Sequence, residues 1–113
     1  WFKKKKSFLA CYNGDIKSLT DQLDEPDSKS NDFSATDAER NTGFHLACQN
    51  GKEKIVSLLV EKSQSKGIDI NAINQNGDSG FHQACSRGHH KIVDFFIKII
   101  RIKGSVHVII KQF

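Results

Sequence analysis

The sequence predicts an all-α solenoid of about three stacked helix–turn–helix units, each continued by a hairpin-like finger. Three observations carry this. Cys11, Cys48 and Cys85 stand 37 residues apart, and Ala10, Ala47, Ala84 and Gly14, Gly51, Gly88 keep the same step. A fixed period of this size marks stacked supersecondary units. Within a unit the apolar residues recur at helical spacing. Between units, Asn76-Gly77 gives a tight-turn signal, because both residue types tolerate positive φ.

The first unit, residues 1–41, is the weakest copy. Phe8-Leu9-Ala10-Cys11-Tyr12-Asn13-Gly14-Asp15-Ile16 keeps the small residues and the glycine that ends a helix. Its second helix is polar except for Ile16, Leu19 and Leu23, which are expected to face inward; this suits the capping end of an array. Asp24-Glu25-Pro26-Asp27-Ser28 is expected to be loop, and Asp32-Phe33-Ser34-Ala35 falls in register with Asp69-Ile70-Asn71-Ala72.

The second unit, 42–78, opens at Thr42, whose hydroxyl can satisfy orphan amides of a helix start. Phe44, Ala47 and Cys48 form one stripe, and Gly51 ends the helix. Ile55, Val56, Leu59 and Val60 form the stripe of the second helix, which Gly67 stops. The third unit, 79–113, repeats the plan from Ser79, with Phe81, Ala84 and Cys85, then Gly88, then Ile92, Val93, Phe96 and Ile97. Phe95, Ile99, Ile100 and Ile102 carry apolar surface around this last helix, and Val106, Val108 and Ile110 alternate like a strand. A terminal unit should be polar outside. This end is therefore expected to be covered by more of a longer array or by a second copy, with aggregation through the tail as the alternative.

Composition bounds the function. The 113 residues fit one small domain without room for a large buried cofactor. No apolar run nears the roughly 20 residues of a spanning helix, and no apolar signal segment follows the basic start. The chain has no methionine, even at position 1, and so reads as a fragment or a processed piece. The net charge is +4, and Lys3 to Lys6 account for four positive charges. The rest is near neutral, which argues against a nucleic-acid strip. The lysine run reads as a solvated end, with an anionic-surface patch as the alternative.

The units resemble the ankyrin repeat. Thr42-Gly43-Phe44-His45-Leu46-Ala47-Cys48 and Gly67-Ile68-Asp69-Ile70-Asn71-Ala72 follow that family's pattern in one copy. Asn76-Gly77-Asp78-Ser79-Gly80-Phe81-His82-Gln83-Ala84-Cys85-Ser86-Arg87-Gly88-His89 follows it in the next. Three departures stand out. Gly43 and Gly80 replace the family's proline, a change expected to cost up to about 1 kcal/mol per unit. Cysteine replaces its second alanine. The period is 37 rather than about 33, so a second helix one turn longer is expected around Glu61 to Lys66.

His82 and Cys85, echoed by His45 and Cys48, have a spacing that could hold a metal, but residues that recur in every unit usually serve the unit. The resemblance implies that this histidine bonds near the capping hydroxyl and links neighbouring units. Equivalent cysteines on stacked helices lie about 8–10 Å apart, too far for a disulfide. Three buried thiols point to a reducing compartment. No copy supplies a distinct nucleophile–base–orienter set. Neither enzyme activity nor a cofactor is expected.

The resemblance implies a concave face formed by the fingers and the first helix of each unit. Mapped onto this chain, its helix residues are Leu46, Gln49 and Asn50, then Gln83, Ser86 and Arg87, with Leu9, Tyr12 and Asn13 as the degenerate equivalents. The finger tips are Asp37, Glu39 and Arg40, then Asn74, Gln75, Asn76 and Asp78. None has an evident packing duty. The expected function is a protein–protein interaction module in the cytoplasm or nucleus, binding another protein and neither nucleic acid nor membrane. Self-association through the apolar last unit is a further option. The alternatives are spacer repeats in a larger channel, kinase or effector, and a metal site at His82 and Cys85.

Overall fold

The computed structural model describes residues 2–24 and 33–103. Seven helices run through them: α1 (Phe2–Asn13), α2 (Ile16–Asp24), α3 (Gly43–Gln49), α4 (Glu53–Glu61), α5 (Ser63–Lys66), α6 (Gly80–Ser86) and α7 (His90–Lys103). No strand is present among the described residues; a single antiparallel bridge, Thr36 to Thr42, closes the base of the first finger. Helices α1, α3 and α6 form an inner row, with α3 packed between α1 and α6. Helices α2, α4 and α7 form the outer row, with α4 in the middle.

The three inner–outer turns are built alike. Asp15, Lys52 and His89 donate their N–H groups to the Ala10, Ala47 and Ala84 carbonyls at 2.9, 2.9 and 3.0 Å. The glycines just before them, at φ 71, 69 and 73°, donate to Cys11, Cys48 and Cys85. This paired 6→1 and 5→2 arrangement satisfies orphan carbonyls at the end of a short helix. The Thr42 and Ser79 hydroxyls accept from the His45 and His82 amides at 3.3 and 3.2 Å, the caps expected of them. Asp15 caps α2 by accepting from Ser18 N–H at 3.1 Å.

The core lies between the rows. Ala47, Cys48, Val56, Ile55, Leu59 and Ala84 are almost fully buried. Cys11 and Cys48 are buried, but Cys85 is exposed, which corrects the expectation of three buried thiols. Burial pushes the Cys11 thiol up to about 12, and burial together with neighbouring Cys11 raises Cys48 as well. Both are packing groups in the thiol form.

Several local expectations are revised. Helix α1 starts at Phe2, so the lysine run lies within a helix; lysine is a good helix former. Ile16 is 39% exposed and Gln22 takes the buried place, donating from Nε2 to Ser18 Oγ at 3.1 Å. The added turn after Glu61 exists, but as a separate helix. Lys62 sits at φ −96°, ψ 5°, and Ser63 Oγ donates to the Val60 carbonyl at 2.8 Å, a bond that competes with helix continuation. Of the loop expected from Asp24 to Ser28, Asp24 is instead the last residue of α2, while 25–28 and the alternating tail from Val106 to Ile110 lie outside the described residues.

The two fingers share a turn, with one difference. Asn74 N–H donates to Asp78 O at 2.9 Å and Gly77 N–H to Asn74 O at 3.0 Å. In the first finger, Asp37 N–H donates to Asn41 O at 3.0 Å and Arg40 N–H to Asp37 O at 3.2 Å. Gly77 has φ 79°, and the equivalent Arg40 is forced to φ 66°. A left-handed non-glycine residue is strained. Arg40→Gly is therefore expected to stabilise the chain by roughly 0.5–1 kcal/mol, the strain relief exceeding the entropy cost of glycine. A urea midpoint that falls instead would overturn this.

Candidate functional site: the face between fingers and inner helices

The fingers are held to each other and to the inner helices by a hydrogen-bonded seam. Asp37 Oδ1 accepts from Glu39 and Asn41 N–H, both at 2.9 Å, and Asp37 Oδ2 accepts from Asn41 Nδ2 at 3.1 Å. Asn74 Oδ1 does the same in the second finger, accepting from Asn76 and Asp78 N–H at 2.9 and 3.0 Å. Asn74 Nδ2 then donates to Asn41 Oδ1 at 2.9 Å, and Gln75 N–H to Glu39 O at 2.9 Å, tying the two fingers together. Burial opposes ionisation of Asp37, yet the hydrogen bonds from Asn41 and Glu39 outweigh it and hold this carboxyl below its ordinary range.

His45 joins the seam to the helices. Thr42 N–H donates to His45 Nδ1 at 3.1 Å, so Nδ1 carries no proton; Nε2 holds it and donates to Asp78 O at 2.8 Å. One imidazole thus completes the capping box of α3 and fastens it to the next finger. The link between units that the sequence implied for this histidine is present. His89 supplies another that was not foreseen: its Nε2 lies 2.6 Å from the Gln49 carbonyl at the end of the preceding inner helix. Among the described residues, no three His, Cys, Asp or Glu side chains are grouped to hold a metal ion.

Burial lowers the His45 pKa from its ordinary 6.5, outweighing the opposing effects of Asp78 and Asp37. The unfolded chain therefore takes up this proton more readily than the folded one. The contribution of neutral His45 is full above about pH 6.5 and is lost as pH falls from there through the lowered folded value. Asp37, lowered from 3.8, adds a second loss at more acidic pH. The urea midpoint is expected to drop between pH 7.5 and 5.5, and His45→Gln is expected to flatten that drop. An equal slope in both proteins would rule His45 out as its source.

A groove of about 400 Å³ opens between the second finger and α6. From the fingers it receives Glu39, Asn74, Asn76 and Asp78, and from the inner helices Gln49, His82, Gln83, Ser86 and Arg87. The structure thus brings together eight of the sixteen residues expected on the concave face. Asn50 and Gln75 are exposed beside it. Tyr12 is 54% exposed on α1, near Leu9 at 42%. Two expectations fail in part: Leu46 is 6% exposed and Asn74 is 7% exposed, so both have packing duties. Asn74 is spent on the seam. Ile73, 63% exposed on the second finger, was not foreseen; its signal was an isoleucine where the first finger has Thr36.

A second groove, of about 460 Å³, crosses the outer row over Ile16, Ser57, Leu58 and Phe95. It is the seam between outer helices: its floor includes Ile92, 1% exposed, and its rim carries the exposed Lys91–Glu53 pair at 3.9 Å. No helix among the described residues is long and apolar enough to cross a membrane.

No curated protein matches the chain. Among solved structures it is similar to a chain of the complex of Bd0816, a predatory endopeptidase from Bdellovibrio bacteriovorus, with immunity protein Bd3460. The TM-score is 0.66 at 21% identity, over 85% of this chain and 46% of that one. This chain spans about half the length of that relative, and the likeness is one of fold. The family model for ankyrin repeats, in three copies, matches residues 7–106. With repeated caps, turns and stacked helix pairs behind that match, the chain belongs to the ankyrin-repeat family.

Proposed function

We propose that the chain holds a partner protein on its concave face and carries no chemistry of its own. Ankyrin repeats are in general protein-binding modules and typically non-catalytic. The observation that carries the reading is the groove between finger and inner helices, whose lining is polar throughout. Gln49, Gln83, Ser86 and Arg87 reach it from α3, α6 and the end of α6, and Asn76 and Asp78 from the finger. Asn50 and Gln75 border it. Tyr12 and Arg87 are the anchors, since aromatic and arginine side chains dominate interface hot spots. Leu46 and Asn74 support the surface from beneath. The units meet at 42 and 79 in this reading, so the groove straddles the joint between the second and third. The structural relative comes from a complex of two proteins, which agrees with a binding role.

The test is capture of a partner from the source organism's lysate on the immobilised chain. Ser86→Trp fills the concave groove and is expected to reduce capture at least tenfold. Ser57→Arg blocks the outer groove and is expected to leave capture intact. The reverse pattern would move the interface to the outer helices.

A further inference from the structure

Asparagine followed by glycine occurs three times, at Asn13-Gly14, Asn50-Gly51 and Asn76-Gly77. Such a pair can react with itself, because glycine has no side chain to keep its nitrogen away from the asparagine's own side-chain carbon. The three pairs are alike in sequence and unlike in setting. Gly14 and Gly51 lie in the inner–outer turns, at φ 71 and 69°. The next unit covers both. The Lys52 side chain is 3.1 Å from where a Cβ of Gly14 would stand, and the His89 ring is 3.0 Å from that of Gly51. The residues after these glycines, Asp15 and Lys52, donate to Ala10 O and Ala47 O at 2.9 Å. Freeing either glycine nitrogen therefore opens a turn that joins two packed helices. Gly77 differs. Apart from its chain neighbours nothing lies within 4 Å of its Cβ position, and Gln75, Asn76 and Gly77 form an exposed tip. Its N–H donates to Asn74 O at 3.0 Å, a shorter bond than Gly14 N–H to Cys11 O at 3.4 Å or Gly51 N–H to Cys48 O at 3.5 Å. What must move decides between them, not bond length. An exposed loop tip opens at little free energy, whereas a helix junction opens only with the elements it joins.

We infer that Asn76 is a modification site: the fold protects the other two pairs and selects this one for deamidation. The Gly77 nitrogen attacks Asn76 Cγ. A C–N bond forms, the nitrogen gives up its proton, and the side-chain amide leaves as ammonia. Water then opens the resulting succinimide at either carbonyl. One opening gives aspartate in an ordinary chain. The other gives isoaspartate, whose main chain runs through the former side chain and is one carbon longer. Water is the sole further reactant. Asn76 lines the concave groove with Glu39 and Asp78, so either product sets another carboxylate beside theirs. The longer isoaspartyl chain also disturbs the bonds that span residue 76, Asn74 N–H to Asp78 O and Asp78 N–H to Asn74 Oδ1. The joint between fingers, held next door by Gln75 N–H to Glu39 O, loosens with them. The inference stands on the turn and does not depend on what the groove binds.

The test is to age the full chain in mildly alkaline buffer, digest it with trypsin and sequence the peptides by tandem mass spectrometry. Cleavage after lysine and arginine puts the three pairs on separate peptides, 7–17, 41–52 and 67–87, so each is a control for the others. In the folded chain, conversion at Asn76 is expected to run at least about tenfold ahead of Asn13 and Asn50. In unfolding guanidinium chloride that lead is expected to vanish, since the same residue pair is then all that remains at each place. An isoaspartyl methyltransferase is expected to label the aged chain and to leave the aged Asn76→Ser chain nearly unlabelled. The comparison of peptides needs no variant, so it stands even if Asn76→Ser folds poorly. Equal rates in the folded chain, a lead at Asn13 or Asn50, or a lead at Asn76 that persists undiminished in guanidinium overturns the inference. So does an Asn76 that stays intact in the folded chain while the unfolded chain converts.

Discussion

Phe96→Ala is expected to cost about 3–5 kcal/mol, the range for truncating a buried phenylalanine. Phe96 is 2% exposed at the centre of an aromatic cluster. Its ring lies 5.2 Å from Phe81 and 6.0 Å from Phe44, at interplanar angles of 81 and 89°. Phe95 adds a tilted contact at 6.1 Å. Edge-to-face geometry puts the positive rim of one ring against the negative face of another, so the loss exceeds simple area. The cluster joins α7 to both α3 and α6, and alanine would leave a cavity under two units at once. A chain of this length has roughly 6–17 kcal/mol of total stability, so the variant sits near the edge of folding. Phe96→Leu keeps most of the volume and is expected to cost about 1–2 kcal/mol. Urea unfolding followed by helical circular dichroism compares the two. Because units couple mainly to neighbours, hydrogen exchange in Phe96→Leu should rise more in α6 and α7 than in α1. A cost below 1 kcal/mol for alanine would mean that Phe96 does not clamp the units.

The parts of this fold that were legible in the sequence are those decided within one unit. Thr42 and Ser79 cap, and Gly51 and Gly88 turn, because each acts on backbone groups a few residues away. The 37-residue step then transfers those assignments from copy to copy. What depends on a neighbouring unit was harder to read. Leu46 occupies the same row as exposed Leu9, yet α3 lies between two helices and Leu46 is buried. Cys85 shares the step with Cys48, yet one is exposed and the other fully covered. Asn74 has the polarity of a surface residue and is consumed by a finger-to-finger bond that no local pattern announces. Arg40 was legible only as a finger-tip charge; that it must adopt the conformation of Gly77 follows from the shared hydrogen bonds, not from its own identity. The concave groove was mostly legible, since its residues alternate with the buried stripe on α3 and α6.

Gly80→Ala is expected to destabilise the chain by about 1–3 kcal/mol, although alanine is the better helix former. A Cβ at Gly80 would lie 2.7 and 2.8 Å from two Phe44 ring carbons and 2.9 Å from Cys48 Sγ. Neither can yield: Cys48 is fully buried, and the Phe44 ring is held against Phe96. Gly43 repeats the device more loosely, its Cβ meeting Cys11 Sγ at 3.0 Å and Cys11 Cβ at 3.1 Å. Gly43→Ala is therefore expected to cost less. The glycines first read as a loss relative to the family's proline are in this chain what lets one inner helix seat on the cysteine and phenylalanine of the unit before it. Restoring proline gives the sharper test. Proline suits the first position of a helix, so on local grounds Gly80→Pro should stabilise. On packing grounds it should destabilise at least as much as alanine, since its ring adds atoms where one carbon already collides. A double-mutant cycle with Phe44→Leu separates the two, and the cost of Gly80→Ala should shrink when the ring is gone. A stabilised Gly80→Pro would show that close approach does not hold glycine at this position. The same approach sets how far Ser86 and Gln83 stand from Gln49. If the concave face binds as proposed, any Gly80→Ala protein that still folds should bind there more weakly, through a groove of altered width rather than through a lost contact.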